Sequence, residues 1–573
     1  MKKYLFIALA ALGFAACAEK MDDNSPVQKG ELEESYIAIN LMAADVDTRA
    51  ADGGLEYGTE NERKITQAHF FFFDENGNPF NVVNAPATAP GGGQNHLRLD
   101  ITPITQNDGT PVNNVSDISN AVLILNTYKG IYPKQIVAVL NWTPTAQQSY
   151  SLAELHNILA GTLGNDTDGY VMSNSVYMDS AGKIIDAVPL AGTKIKTSPT
   201  DATNDPIDIY VERTAAKVAV ISNSSVDGDA TIFKVSSDDN LFHPVGQPSG
   251  IEVYMQLLGW ELYNDYSTST LLKNIENWDI DQLGLQWNDS PKFRCYWANS
   301  QSTAHNDKFA WSYTEGDMTT NGFQTNYGFN VASDVSYTDR ATYTYCGENT
   351  NGEALRTKVI LKGKLLQKNG DSYSTLAIAS WYGNDYAGTE NLKIAVANSL
   401  KYTLVYKNTE GEGHIGIKPE DLEIVTDASL ESYQVGFKLS DAGESKEWYL
   451  RSSDGGTQIL GDTSIVGDND AKTNNYLLEN VAPALVYADG QTYYYVDIEH
   501  LGTKTAKYGV VRNHVYQISI NSIKGYGTPV YSEFSNILTP PVYPEEYDDT
   551  YVAARINVLS WKVVKQGVDI ETK

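Results

Sequence analysis

Apolar and polar residues alternate with a period of two along most of this chain, in short runs broken by turn residues. Residues 36–42, Tyr-Ile-Ala-Ile-Asn-Leu-Met, put Ile37, Ile39 and Leu41 on one face of an extended strand. Residues 65–73 make a second run, ended by the Asp-Glu-Asn-Gly-Asn turn at 74–78. Residues 121–126 and 135–141 are continuous apolar stretches suited to buried sheet positions. Residues 207–221 alternate too, with Arg213 standing among apolar neighbours. After a turn-rich passage at 222–228 the strand pattern resumes at 250–263, 358–366, 376–379, 402–406, 493–498 and 511–523. One helix is legible: Ser151 and Glu154 form a capping box, Leu152, Leu155 and Leu159 share a face, and Gly161 closes it.

The end of the chain breaks this rhythm. Residues 525–549 carry Pro529, Pro540, Pro541 and Pro544 and finish acidic, which is the make-up of a semi-extended linker. A fresh strand pattern follows at 551–570. Val552, Ala554, Ile556 and Val558 alternate on one face, then Leu559, Trp561 and Val563 take the apolar role on the other parity. The phase change predicts a bulge or bend near Leu559 and Ser560. A strand beyond a flexible linker is free to pair outside its own domain.

The beginning of the chain is equally distinctive. Lys2 and Lys3 precede an apolar stretch at 4–13 that is too short to span a bilayer and the right length for an export signal. Phe14-Ala15-Ala16-Cys17 then has the form of a lipoprotein signal, with Phe14 where Leu is usual, so Cys17 is expected to be lipidated. Residues 18–34 are polar. Residues 43–54 are acidic and small, with Arg49 as their one basic residue, and should be readily cut. By composition alone Arg49 reads as a solvated charge.

Composition narrows the class. The chain has 573 residues, 72 acidic against 42 basic, for a formal net charge of −30. That argues against nucleic acid or an anionic membrane surface as a partner, since both need a basic footprint. Tyr at 37 and Gly at 45 fit short strands joined by turns. With Cys17 lipidated, Cys295 and Cys346 remain as a possible disulfide in an oxidising exterior. Zinc-protease, nucleophile-elbow, P-loop and dinucleotide motifs are missing, and the eight histidines have no metal-ligand spacing. No enzymatic role, cofactor or metal is expected. Residues 227–229 (Asp-Gly-Asp) and 468–470 (Asp-Asn-Asp) read as acidic turns rather than calcium loops. The aromatics around Trp297 and Trp311 read as core or interface before glycan platform.

Several of these pieces together resemble the major fimbrial subunits of the short-fimbria (Mfa) type, pilins of type V pili. The resemblance is carried by the leader ending in Cys17, the Arg49-Ala50 step, residues 135–144 (Gln-Ile-Val-Ala-Val-Leu-Asn-Trp-Thr-Pro) and residues 211–217 (Val-Glu-Arg-Thr-Ala-Ala-Lys). To these are added residues 360–365 (Ile-Leu-Lys-Gly-Lys-Leu), 512–516 (Arg-Asn-His-Val-Tyr), the Pro-rich linker and 556–561 (Ile-Asn-Val-Leu-Ser-Trp). Their order and spacing, more than any one of them, make the likeness. Departures are a longer central insertion and Phe14.

The resemblance implies an all-β chain of two transthyretin-like or Greek-key β-sandwich domains with few short helices and a C-terminal donor strand. The expected divisions are a signal peptide with the lipidated Cys at 1–17, a propeptide with a removable first strand at 18–49, and an N-terminal sandwich with an acceptor groove at 50–224. A C-terminal sandwich with a loop-rich insertion then spans 225–524, a linker 525–550 and the donor strand 551–573. It further implies that an arginine-specific protease cuts between Arg49 and Ala50, that strand 36–42 leaves, and that the donor strand of an identical subunit replaces it. Ile556, Val558, Leu559 and Trp561 are the expected pocket-filling side chains. Partners are then like subunits head to tail, accessory tip and anchor subunits, and the outer membrane through the precursor's lipid, in a surface fimbrium serving adhesion or biofilm formation. The competing readings are an anchor or tip subunit of such a fimbria, and a surface glycan-binding lipoprotein that keeps its lipid.

Overall fold

The computed structural model describes residues 32–43, 55–56, 60–82, 94–100, 104–105, 111–112, 121–128, 131–144, 149–275, 297–300, 343–531 and 561–570, less 166, 179–183, 223, 225, 230, 236–240, 354 and 432. Strands dominate, in several sheets with few helices. The first sheet is built from β1 (Leu32–Ala43), β2 (Gln67–Phe73), β3 (His96–Asp100), β4 (Ala121–Tyr128), β5 (Gln135–Leu140), β6 (Met172–Asn174) and β7 (Ile207–Arg213). Their spatial order is β3-β2-β5-β6-β7-β1-β4, with Val188–Pro189 beside β5. One face of this sheet closes on a core of Ile37, Phe70, Phe72, Leu123, Leu125, Ile136, Ile207 and Ile209. The other face puts Phe71, Phe73, Val137 and Val139 against Trp142, Tyr150 and Leu155. The period of two therefore feeds two cores from one sheet, which is why 67–73 and 135–140 read as continuous apolar runs.

The predicted helix is present as Leu152–Asn157, with its capping box made: the Ser151 hydroxyl accepts from Glu154 N, and the Glu154 carboxylate accepts from Ser151 N at 2.7 Å. It is shorter than expected. Ile158 turns extended, and Leu159 bridges to Thr270 instead of joining the helical face.

The apolar stretch 207–221 is two strands, parted at Thr214. β8 (Ala215–Ser222) enters a second assembly. That assembly also holds β9 (Val253–Tyr263), β10 (Tyr343–Gly347), β11 (Lys358–Asn369), β12 (Gln491–Asp497), β13 (His514–Ile523) and β14 (Trp561–Ile570). One sheet runs β10-β8-β13-β14 and ends on Leu55–Glu56; the other runs from Ile232–Lys234 through β9-β11-β12 to Thr528–Pro529. Val218, Val220, Met255, Trp260, Leu361, Val496, Tyr516 and Ile518 fill the space between them, so this is a β-sandwich.

Between β11 and β12 the chain makes a third core that the period-two pattern did not disclose. It surrounds two 13-residue helices, Gly388–Leu400 and Asp468–Asn480. Leu392, Val396, Leu400, Phe437, Trp448 and Leu477 are buried there, and the Trp448 indole donates to the Gly443 carbonyl at 2.9 Å. Neither helix has a side-chain N-cap, the second starting after Gly467 at φ 78°, so the usual sequence mark of a helix start is missing from both.

Trp260 is fully buried between the two sheets of the second assembly. Trp260→Ala should lower stability by about 3–5 kcal/mol, read from guanidinium unfolding of the soluble chain.

Candidate functional site: the seat of the first strand

β1 is held on both sides. Against β7 it runs parallel, from Ile39 opposite Ile207 to Ala43 opposite Val211. Against β4 it runs antiparallel, from Leu32 opposite Tyr128 to Ile39 opposite Ala121. Ile37 is fully buried in the core beneath. β4 is the last strand of the sheet, and among the described residues its only strand ladder is the one with β1. Withdrawal of β1 would strip hydrogen bonds from β7 and β4 together and open the core at Ile37. An edge of that kind must be refilled, since unpaired buried backbone groups are costly and an open edge invites another strand.

The far end of the chain is placed differently. The described part of the expected donor strand, β14, lies in its own chain's sheet, parallel to β13, from Lys562 opposite His514 to Ile570 opposite Ile523. Its first residues also pair antiparallel with Leu55 and Glu56, a few residues beyond Arg49. Trp561 opens β14. Ile556, Val558 and Leu559, and the predicted bend at 559–560, lie outside the described residues.

Where β7 passes into β8, charged side chains are buried among apolar ones, and this explains the solitary Arg213. Lys217 and Glu62, both fully buried, form an ion pair at 2.8 Å. The Tyr345 hydroxyl also donates to Glu62. Arg213 donates from Nε to the Glu62 carbonyl at 2.8 Å and from Nη1 to Asn513 Oδ1 at 3.1 Å. On the neighbouring side Lys273 pairs with Glu212 at 2.6 Å. Arg512 binds Glu348 through Nε at 3.2 Å and Nη2 at 3.1 Å, and reaches the Leu271 carbonyl and the Thr270 hydroxyl. The 211–217 and 512–516 segments singled out in the sequence are thus the two halves of one joint between the sheets. Burial opposes ionisation of Glu62, but Lys217 and Arg213 outweigh it and hold the carboxyl below its ordinary value.

Cys17, Arg49, Ala50 and Cys295 lie outside the described residues. Cys346 is buried on β10. Arg63, the other arginine near the expected cut, sits in the short helix Glu60–Arg63 beside buried Glu62, a poorer protease substrate than an open loop. Trp297 is buried and tilted against His500 at 5.8 Å, so it offers no glycan platform. Asp227 is paired with Lys368 at 2.6 Å; residues 468–470, expected as an acidic turn, instead open the helix Asp468–Asn480, where Asn469 bonds the Trp448 backbone. No metal-holding group of three or more His, Cys, Asp or Glu occurs among the described residues.

Residues 485–567, from just before β12 into β14, match the family described as Major fimbrial subunit protein type IV, Fimbrillin, C-terminal. No curated protein matches the chain. Among solved structures it is similar to a fimbrilin of Porphyromonas gingivalis W83, at 12% identity over 94% of this chain and 97% of that one, with a TM-score of 0.32. It is also similar to a fimbrial assembly protein of Parabacteroides distasonis, at 10% identity over 75% and 100% with a TM-score of 0.27. A third likeness is to the C-terminally truncated tip fimbrial protein Mfa3 of P. gingivalis, at 12% identity over 61% and 83% with a TM-score of 0.22. The family match is confined to this C-terminal segment.

Glu62→Gln removes the carboxylate partner of buried Lys217 and should cost about 3–5 kcal/mol at pH 7. Because the folded pKa of Glu62 is lowered, its contribution is complete above the ordinary value of 4.5 and is lost as pH falls through the folded value. Denaturant titrations should therefore show the gap between the native chain and the Gln variant closing in acid.

Proposed function

We propose that this chain, a fimbrillin by its C-terminal segment, is the repeating stalk subunit of a surface fimbria assembled by strand exchange after proteolysis. The seat of β1 between β7 and β4 is the observation that carries this reading. Cys17 carries the lipidated precursor to the outer membrane, and β1 fills the groove meanwhile. A cut between Arg49 and Ala50 severs β1 from the rest of the chain. The groove then accepts the C-terminal strand, 551–570, of the next subunit by strand addition. For that strand to reach a neighbour, β14 first leaves β13 in its own sheet. Ile556, Val558, Leu559 and Trp561 supply the apolar contacts, each worth about 1.5–3 kcal/mol when buried. A heterologous contact repeated head to tail does not close, so the product is a filament. The outgoing strand favours a stalk subunit over a tip, and burial of Trp297 weighs against the glycan-binding alternative. Cys295 and Cys346 are kept as a proposed disulfide, checked by intact mass with and without reductant.

Surface-extracted protein should begin at Ala50. Arg49→Ala should leave lipidated precursor on the surface and abolish filaments; normal filaments in that variant would remove Arg49 from the mechanism and turn attention to Arg63. Truncation after Pro544 should give a processed, folded subunit that cannot polymerise, and long fimbriae from the truncated chain would end the donor-strand assignment.

A further inference from the structure

We infer that the incoming strand takes the seat of β1 parallel to β7, in the register that sets Ile556 where Ile39 was. This rests on the donor-strand reading and adds a direction and a frame to it. Residues 39–42 read Ile-Asn-Leu-Met and residues 556–559 read Ile-Asn-Val-Leu. Two positions are identical and two exchange one unbranched or branched aliphatic for another. The only other Ile-Asn step in the chain, at 520–521, is followed by Ser522. The strand that leaves and the strand proposed to arrive therefore share a tetrapeptide.

The register gives that match physical content. Ile39, Asn40, Leu41 and Met42 stand opposite Ile207, Asp208, Ile209 and Tyr210. Ile207 and Ile209 are buried, Asp208 is exposed and Tyr210 is half-buried. Directly opposed residues of neighbouring strands share a face. In the same direction and frame, Ile556 and Val558 meet the two buried isoleucines, and Asn557 lies beside Asp208 at the wet level. Leu559 falls next to Tyr210. Reversed within the same four positions, Asn557 would stand opposite buried Ile209. The frame also puts Ala554 where Ile37 was, opposite Leu123, in a fully buried place. The arriving strand fills that pocket less completely than the departing one, so the native filament contact is weaker at this point than the groove permits.

Cysteine pairs in assembled fimbriae test the frame and the direction separately. Adjacent strands lie about 4.7–4.9 Å apart, inside the Cα range of about 4.4–6.8 Å that a disulfide needs. Mild oxidation of filaments carrying Asp208→Cys with Asn557→Cys should give a covalent ladder on non-reducing gels, absent from each single variant. Tyr210→Cys with Leu559→Cys should do the same. A ladder from Tyr210→Cys with Ile556→Cys or Arg555→Cys in its place would overturn the parallel direction. A ladder from Asp208→Cys with Ile556→Cys, and none with Asn557→Cys, would overturn the frame while leaving strand donation intact. Polymerisation of the chain truncated after Pro544 would instead remove the reading underneath. As a variant that adds contact and removes none, Ala554→Ile should slow filament dissociation in detergent by about tenfold or more. An unchanged or faster rate would contradict the place assigned to Ala554.

Discussion

The structure turns on a backbone requirement. β7 and β4 each need a hydrogen-bonding partner between them, and a single strand supplies it to both. Buried amide and carbonyl groups lose about 1–3 kcal/mol each when left unmade, so the gap between these strands cannot persist empty in a stable fold. Ile37 adds an apolar reason to the polar one, because the core closes only when something occupies its place. A covalently attached strand satisfies both demands inside one chain. Once the attachment is cut, nothing in the sheet's chemistry requires the occupant to come from the same chain. That indifference of backbone pairing to covalent origin is what the proposed exchange would exploit, one groove holding first its own strand and then a neighbour's.

The proposed exchange would load the groove in tension, and a buried ionic joint lies where such a load would pass. β7 and β8 are one run of chain interrupted only at Thr214, so the acceptor sheet and the sheet holding β14 are joined by a continuous backbone. Around the passage, Glu62, Arg213, Lys217, Tyr345 and Asn513 bond one another, and Arg512 and Glu348 do so at the ends of the adjoining strands. Apolar contacts alone would hold this passage but would tolerate sliding. Buried charges have few alternative arrangements, since each misplacement leaves a desolvated ion without its partner. Glu62 lies a short way beyond the proposed cut at Arg49, so under that proposal the new end would stay fastened to the joint.

Much of this was legible in the sequence, and the failures have identifiable causes. Period-two alternation located strands because one or two buried faces impose it, as at 67–73 and 135–140. The capping box at Ser151 and Glu154 located a helix because its signal is local. The helices at 388–400 and 468–480 escaped because neither start has a capping side chain and the second buries Asn469 and Thr473 alongside Leu477. Arg213 was visible as an anomaly, but its partners are distant in sequence: Glu62 is 151 residues away and Asn513 is 300. No local pattern encodes such a pairing. The self-paired position of β14 was also missed. A strand that pairs within its own sheet has the same alternation as one that pairs elsewhere, so the pattern alone could not show which sheet β14 joins.

Surface charge sets the last constraint. At a formal −30 per chain, identical subunits repel one another at any face where their surfaces approach broadly. Screening confines that repulsion to about 8 Å at physiological ionic strength, which is still further than side-by-side contact. Strand insertion of the proposed kind would escape it, because its free energy would come from backbone pairing and buried aliphatic side chains inside the acceptor. The same charge that discourages lateral association would therefore leave the proposed end-to-end growth unhindered. A chain with this groove and a neutral surface would add strands as readily but would also bundle. The acidity read first as an argument against nucleic acid would, if the proposed exchange builds filaments, also favour filaments that stay single.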